Sequence, residues 1–254
     1  MSSETKSGSL QTTIHNAVAI VQFGHPASNS FPRELLNRLT SEINTLSTHS
    51  EVSVIVLQSE GEKVFCSGAS FDELLAIQNE EQGAEFFSGF AHLINAMRNC
   101  TKLIIGRVQG KAVGGGVGIV AACDYVLATP QSDIKLSELS IGIGPFVIEP
   151  AVSRKIGKTA MTEISLAAHE WKSAGWAFEN KLFSEIHPVE ELDNAVANFA
   201  QKLSLYNPEA LAEMKKIIWE GTELWESILI DRAKITGKLV LSDFTRKALM
   251  QFKK

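Results

Sequence analysis

Long apolar runs, dense basic stretches and an even set of cysteines are what this chain of 254 residues lacks. No uninterrupted apolar stretch is long enough to cross a bilayer, which excludes a helical membrane span. The first residues, Met1 to Gln11, are rich in Ser and Thr and carry no apolar run of the kind a secretory leader needs. Lys and Arg number 24 against 29 Asp and Glu, a net charge of -5. Neither a global positive field nor a local basic run is there to attract nucleic acid. Cys66, Cys100 and Cys123 are odd in number and widely spaced, so they read as buried thiols rather than a disulfide framework. The six histidines are scattered without ligand spacing, and no metal site is expected. Together these absences point to a cytoplasmic protein that handles small molecules.

What the chain does have is apolar content, 44%, enough to bury a full core in one large domain or a domain with an appendage. Residues 1–11 read as a disordered N-terminus. Thr13 to Phe23 carries two short strand-like runs about a His15-Asn16 turn, a hairpin. From Pro32 onward, Leu35, Leu36, Leu39, Ile43 and Leu46 recur with helical spacing. Val52 to Leu57 is a continuous apolar strand. A helix is expected from about Phe71, another from Phe86 to Met97, and a strand from Leu103 to Val108. A short strand, a triple glycine, a helix over Val117 to Cys123 and a strand over Tyr125 to Ala128 follow. Repeated strand, strand, helix units describe an α/β core over 12–190. Beyond Glu190 only helices are expected: Leu192 to Leu205, Pro208 to Trp219, and Trp225 to Phe252, making 191–254 a helical C-terminal region.

Three segments hold candidate chemistry. In Lys111 to Asp124, the glycines at 114, 115, 116 and 118 join a strand to a helix. Unpaired amides at that helix start could bind developing negative charge, although such a segment alone reads equally as a tight turn. Its glycine spacing matches neither a phosphate-binding loop nor a dinucleotide fingerprint. Lys63 to Leu74 is a small-residue loop able to present backbone donors, or simply a connection. In Ile134 to Phe146 one carboxylate, Glu138, sits among apolar residues and glycines. Burial there would raise its pKa toward what a general base near neutrality needs; an exposed acid is the plainer alternative.

In this order and spacing the three segments resemble the crotonase (enoyl-CoA hydratase/isomerase) superfamily, over nearly the whole chain. The resemblance implies a crotonase-like spiral of β-β-α units, with a helical C-terminal region that forms a homotrimer or a hexamer. It implies an acyl-CoA thioester as substrate, CoA being part of that substrate and no separate cofactor being needed. It assigns the amides of Ala69 and Gly115 to an oxyanion hole and Glu138 to proton transfer. Ser67, Gly68 and Ala69 would line the adenine pocket, Lys63 would place a cation near a CoA phosphate, and Lys253 or another basic residue at the C-terminus would help from a neighbouring subunit. Two departures stand out. Gly118 occupies the position where many hydratases carry a first catalytic glutamate. Ser70 and Asp72 replace a commoner Asp and a cation. Hydration of 2-enoyl-CoA and 3-enoyl to 2-enoyl isomerisation both stay open, as do Glu149 as a substitute acid and a non-catalytic member that binds acyl-CoA or protein.

Overall fold

The computed structural model describes residues 7–251. Strands β1 (Ser9–His15) and β2 (Val18–Gly24) form the antiparallel hairpin. It starts at Ser9, so residues 9–11 are strand rather than loose chain. Asn16 and Ala17, both with positive φ, make the tight turn between the strands. Helix α1 (Arg33–Thr48) buries Leu35, Leu36, Leu39, Ile43 and Leu46, the stripe its periodicity predicts. At about 1.5–3 kcal/mol for each fully buried side chain, this face anchors the helix far more strongly than helix propensity could.

The chain then winds between two sheets. Strand β3 (Val54–Ser59) joins the large sheet and β4 (Val64–Cys66) a small one. Helices α2 (Phe71–Ala76) and α3 (Glu80–Asn99) lead to β5 (Leu103–Val108) in the large sheet and β6 (Lys111–Val113) in the small one. Helix α4 (Gly115–Ala122) leads in turn to β7 (Tyr125–Ala128) and β8 (Ile134–Lys135). The 3₁₀ turn Glu138–Ile141, helix α5 (Glu149–Leu166), helix α6 (Ala174–Glu179) and β9 (Glu185–Ile186) close the last lap. The large sheet runs β1-β2-β3-β5-β7-β9 and the small one β4-β6-β8, parallel apart from the hairpin. This is the spiral of strand, strand, helix units expected.

Residues Val54 to Leu57 are all buried because both faces of the large sheet are covered. One face meets the main core. The other meets α7 (Val189–Ser204), whose Leu192, Val196 and Ala200 pack on Val54, Val56, Ile105 and Leu127.

Helix α8 (Pro208–Ile218) is tied down by charge. Lys215, 2% exposed, donates to Asp124 Oδ2 at 2.9 Å and to Lys102 O at 2.8 Å. Asp124 also accepts from Trp219 Nε1 at 2.7 Å and from the Ile104 amide at 2.7 Å. Trp219 and Trp225 are buried against each other edge-on, which makes them core residues.

The single helix expected from Trp225 to Phe252 is instead two, α9 (Trp225–Leu239) and α10 (Asp243–Gln251). Ser242 Oγ accepts from the Thr245 amide and caps α10 at its start. Helix α9 crosses α3 of the same chain at Gly83 and Gly237: a Cβ on Gly237 would lie 2.3 Å from the Ala84 nitrogen. The C-terminal helices are therefore packed onto the α/β core, not set apart from it. Phe252 and Lys253 lie outside the described residues.

Candidate active site

Two glycine-bearing turns abut at the ends of β4 and β6. Gly68 has φ +89°, a left-handed backbone that favours glycine, and a Cβ there would stand 2.9 Å from Val113 O and 3.5 Å from the Gly115 nitrogen. Ala69 bridges Phe31 in parallel fashion: the Phe31 amide donates to Gly68 O (2.8 Å) and the Ser70 amide to Phe31 O (3.0 Å). That pairing uses the groups on either side of Ala69 and turns the Ala69 N–H away from Phe31. Across from it, Gly114 enters α4 at φ +54°, ψ -122°, again a glycine conformation, and Gly115 is the first helical residue. The Val117 and Gly118 amides bond back to Gly114 O. The amides of Ala69 and Gly115 donate to no acceptor among the described residues, and both residues are half-buried along the same cleft.

Glu138 completes this corner. The Gly114 amide donates to Lys135 O (2.9 Å), holding the α4 entry beside the segment that leads to the 3₁₀ turn. Gly142, in the left-handed region, ends that turn with its amide bonded to Leu139 O. The Glu138 residue is half-buried, but its Oε2 is shut off from solvent and has no hydrogen-bond partner among the described residues. Burial pushes the carboxyl up to about 7, against a smaller downward pull from its own amide. It is the only ionisable side chain among the described residues that line the cleft.

The remaining wall is apolar. Leu74, Phe87 and Phe90 come from α2 and α3, and Ile141, Ile143, Val147 and Ile148 from the segment around the 3₁₀ turn. Phe90 lies so close to Gly115 that a Cβ there would meet its ring at 2.3 Å. The cleft is partly open to solvent and has a volume of ≈ 60 Å³. Thr236 of α9 also lines it, so the C-terminal region contributes to its own chain's cleft, a contact that helical periodicity could not reveal. Ser67 and Phe71 are shared with an adjoining depression formed with His25, Ser30, Ser70, Asp72, Leu75 and Leu249.

Of the sequence candidates, Ser67, Gly68, Ala69, Gly115 and Glu138 are brought together on this cleft. Lys63 is exposed and is not among its lining residues. Glu149, the substitute acid considered above, is elsewhere and committed. It is bound by Arg232, Lys158 and Ser153. Burial alone would raise its pKa, but these bonds prevail and take it down to about 2. It does not line the cleft.

Residues 13–251 match the family model for enoyl-CoA hydratase/isomerase. The chain belongs to that family. Among curated relatives, a probable enoyl-CoA hydratase of Bacillus subtilis (strain 168) is 24% identical over 250 residues, covering 96% of this chain and 95% of the relative. A peroxisomal Delta(3,5)-Delta(2,4)-dienoyl-CoA isomerase of Arabidopsis thaliana is 24% identical, covering 77% of this chain and 74% of its own. The crystal structure of an enoyl-CoA hydratase from Bacillus halodurans superposes with a TM-score of 0.87 at 22% identity, covering 95% of this chain and 99% of that one. The crotonase-type fold of the enoyl-CoA hydratase/isomerase family is thus this chain's fold. Its relatives carry both hydratase and isomerase names, so membership of the family does not choose the reaction.

Proposed function

We propose that this enoyl-CoA hydratase/isomerase family member is an enzyme acting on acyl-CoA thioesters through an enolate, with Glu138 carrying the proton. The thioester oxygen would accept from the Ala69 and Gly115 amides. Two preorganised donors of this kind lower a barrier by roughly 2.7–4 kcal/mol each. Glu138, with its pKa about 7, has both protonation states available near neutrality, as a group that takes and returns a proton requires. The acyl portion would occupy the apolar cleft and the CoA portion the depression entered past Ser67 and Phe71.

The observation that carries the choice of reaction is that Glu138 is the single carboxyl among the described residues lining an apolar cleft. Water addition is best served by one group to hold and deprotonate water and another to supply the α-proton. Moving a proton between the α- and γ-carbons needs one carboxyl alone. Conversion of 3-enoyl- to 2-enoyl-CoA is accordingly the favoured reading, with hydration of 2-enoyl-CoA the second. A homotrimer or a dimer of trimers belongs to this proposal. Exposed Met214, Ile217, Leu224 and Ile235 on and around α8 and α9 offer apolar surface for subunit contact.

Incubation with 2-enoyl- and 3-enoyl-CoA in deuterated water, products read by mass, tests the reading. A shifted double bond with deuterium at the α- or γ-carbon is expected. Retention of CoA thioesters without exchange or product would favour a binding protein instead.

A further inference from the structure

Ile148 forms the cleft wall against α4. Gly118 lies within that helix, three residues past Gly115, and a Cβ built on it would stand 2.3 Å from Ile148 Cγ2 and 2.6 Å from Ile148 Cβ. The isoleucine thus fills the space that any side chain at position 118 would enter. It is 3% exposed, and the neighbouring lining residues Ile143 and Val147 are equally apolar and buried.

Its place is fixed from behind. Ile148 caps α5, its carbonyl accepting from the Val152 amide at 3.0 Å, while the Glu149 amide donates to Pro145 O at 2.9 Å. Arg232 of α9 binds both the Glu149 carboxylate and Phe146 O, pinning the residues on either side. A β-branched side chain on so constrained a backbone has little freedom to swing away.

We propose that Ile148 is the specificity-determining residue of this site: it denies water a position on the α4 side of the bound acyl chain, and so commits Glu138 to carbon-to-carbon proton transfer. In that transfer the Glu138 carboxylate takes a proton from the α-carbon of a 3-enoyl thioester. The C–H pair becomes the enolate double bond. When the enolate collapses, its electrons form the new α,β double bond, the old β,γ pair takes the proton at the γ-carbon, and Glu138 is a carboxylate again. Hydration needs water as co-reactant: a carboxylate takes one proton from the water as its oxygen attacks the β-carbon, the α,β pair moves into the enolate, and a proton is then delivered to the α-carbon, so that the elements of one water are added. Removing the isoleucine opens room for that water beside Gly118.

This inference rests on the proton-transfer reading above, and the two fail separately. Wild type, Ile148→Val and Ile148→Ala are each given 2-enoyl- and 3-enoyl-CoA in oxygen-labelled water, and the ratio of 3-hydroxyacyl product to isomer is measured. The ratio is expected to rise roughly tenfold or more in Ile148→Ala, the scale on which single changes in an apolar pocket shift specificity, and less in Ile148→Val. Gly118→Glu combined with Ile148→Ala is expected to raise it further, whereas Gly118→Glu alone collides with Ile148 and does not. A wild type that isomerises, with a ratio unmoved in folded Ile148→Ala, overturns the role of Ile148. Should Ile148→Ala not fold, an unmoved ratio in Ile148→Val does the same. A wild type without isomerisation or exchange overturns the proton-transfer reading itself, and this inference with it.

Discussion

The carboxyl of Glu138 lies against the α-carbon of Gly114: a Cβ there would stand 3.0 Å from Oε1 and 3.4 Å from Cδ. One residue thus governs both the backbone that presents the Gly115 amide and the packing of the acid. Gly114→Ala is expected to lower activity by displacing Glu138, and to cost about 1–3 kcal/mol of stability because φ +54° with ψ -122° is unfavourable for a side chain. Turnover on 3-enoyl-CoA together with denaturant unfolding checks both effects.

Burying a carboxyl whose Oε2 has no hydrogen-bond partner among the described residues also marks stability. The folded pKa of Glu138 is raised to about 7 from an ordinary 4.5, so the native state holds its proton more tightly than the unfolded chain. Its relative stabilisation is complete below about pH 4.5 and is lost as pH rises through about 7. Glu138→Gln is therefore expected to be more stable than wild type above pH 7, by at most a few kcal/mol, with the gap narrowing as pH falls. Urea melts across that range measure it.

Glu149 carries the opposite sign. Held at about 2, it contributes stability above pH 4.5 that disappears as pH falls toward 2. Glu149→Gln is expected to cost about 1–2 kcal/mol at neutral pH, solvent at the rim screening the Lys158 contact. The deficit should close on acidification. Thermal melts of both proteins as a function of pH check the crossing.

Lys215 and Asp124 are 2% and 4% exposed in their side chains. Lys215→Ala leaves Asp124 buried without its cation and is expected to destabilise by about 3–5 kcal/mol, whereas pairing Lys215→Met with Asp124→Asn should recover part of the loss. A double-mutant cycle in chemical denaturation measures this.

How much of this was legible in the sequence depended on range. The α1 stripe, strand β5 at Leu103–Val108 and the strand-to-helix turn after Val113 follow from local periodicity and glycine, and the structure has them. Glu138 was visible because an acid among Ile, Leu and Gly has few neighbours to solvate it. The break between α9 and α10 was obscured by continuous apolar spacing, though Ser242-Asp243 carries a capping signal. Helix α5 had its own signal in Pro150, within its first turn. Ile148 against Gly118 and Thr236 in the cleft had none, because those contacts join segments that only the spiral brings together.

If one carboxyl moves the proton, the pH profile of deuterium exchange into a bound 3-enoyl thioester carries its titration. Wild-type exchange is expected to rise with pH through an inflection near 7, as Glu138 becomes the carboxylate base. Glu138→Gln is expected to lose roughly 10²–10⁴-fold in exchange while still binding the thioester. Exchange by Glu138→Gln at the wild-type rate, or a wild-type profile flat through neutrality, would exclude Glu138 as the base.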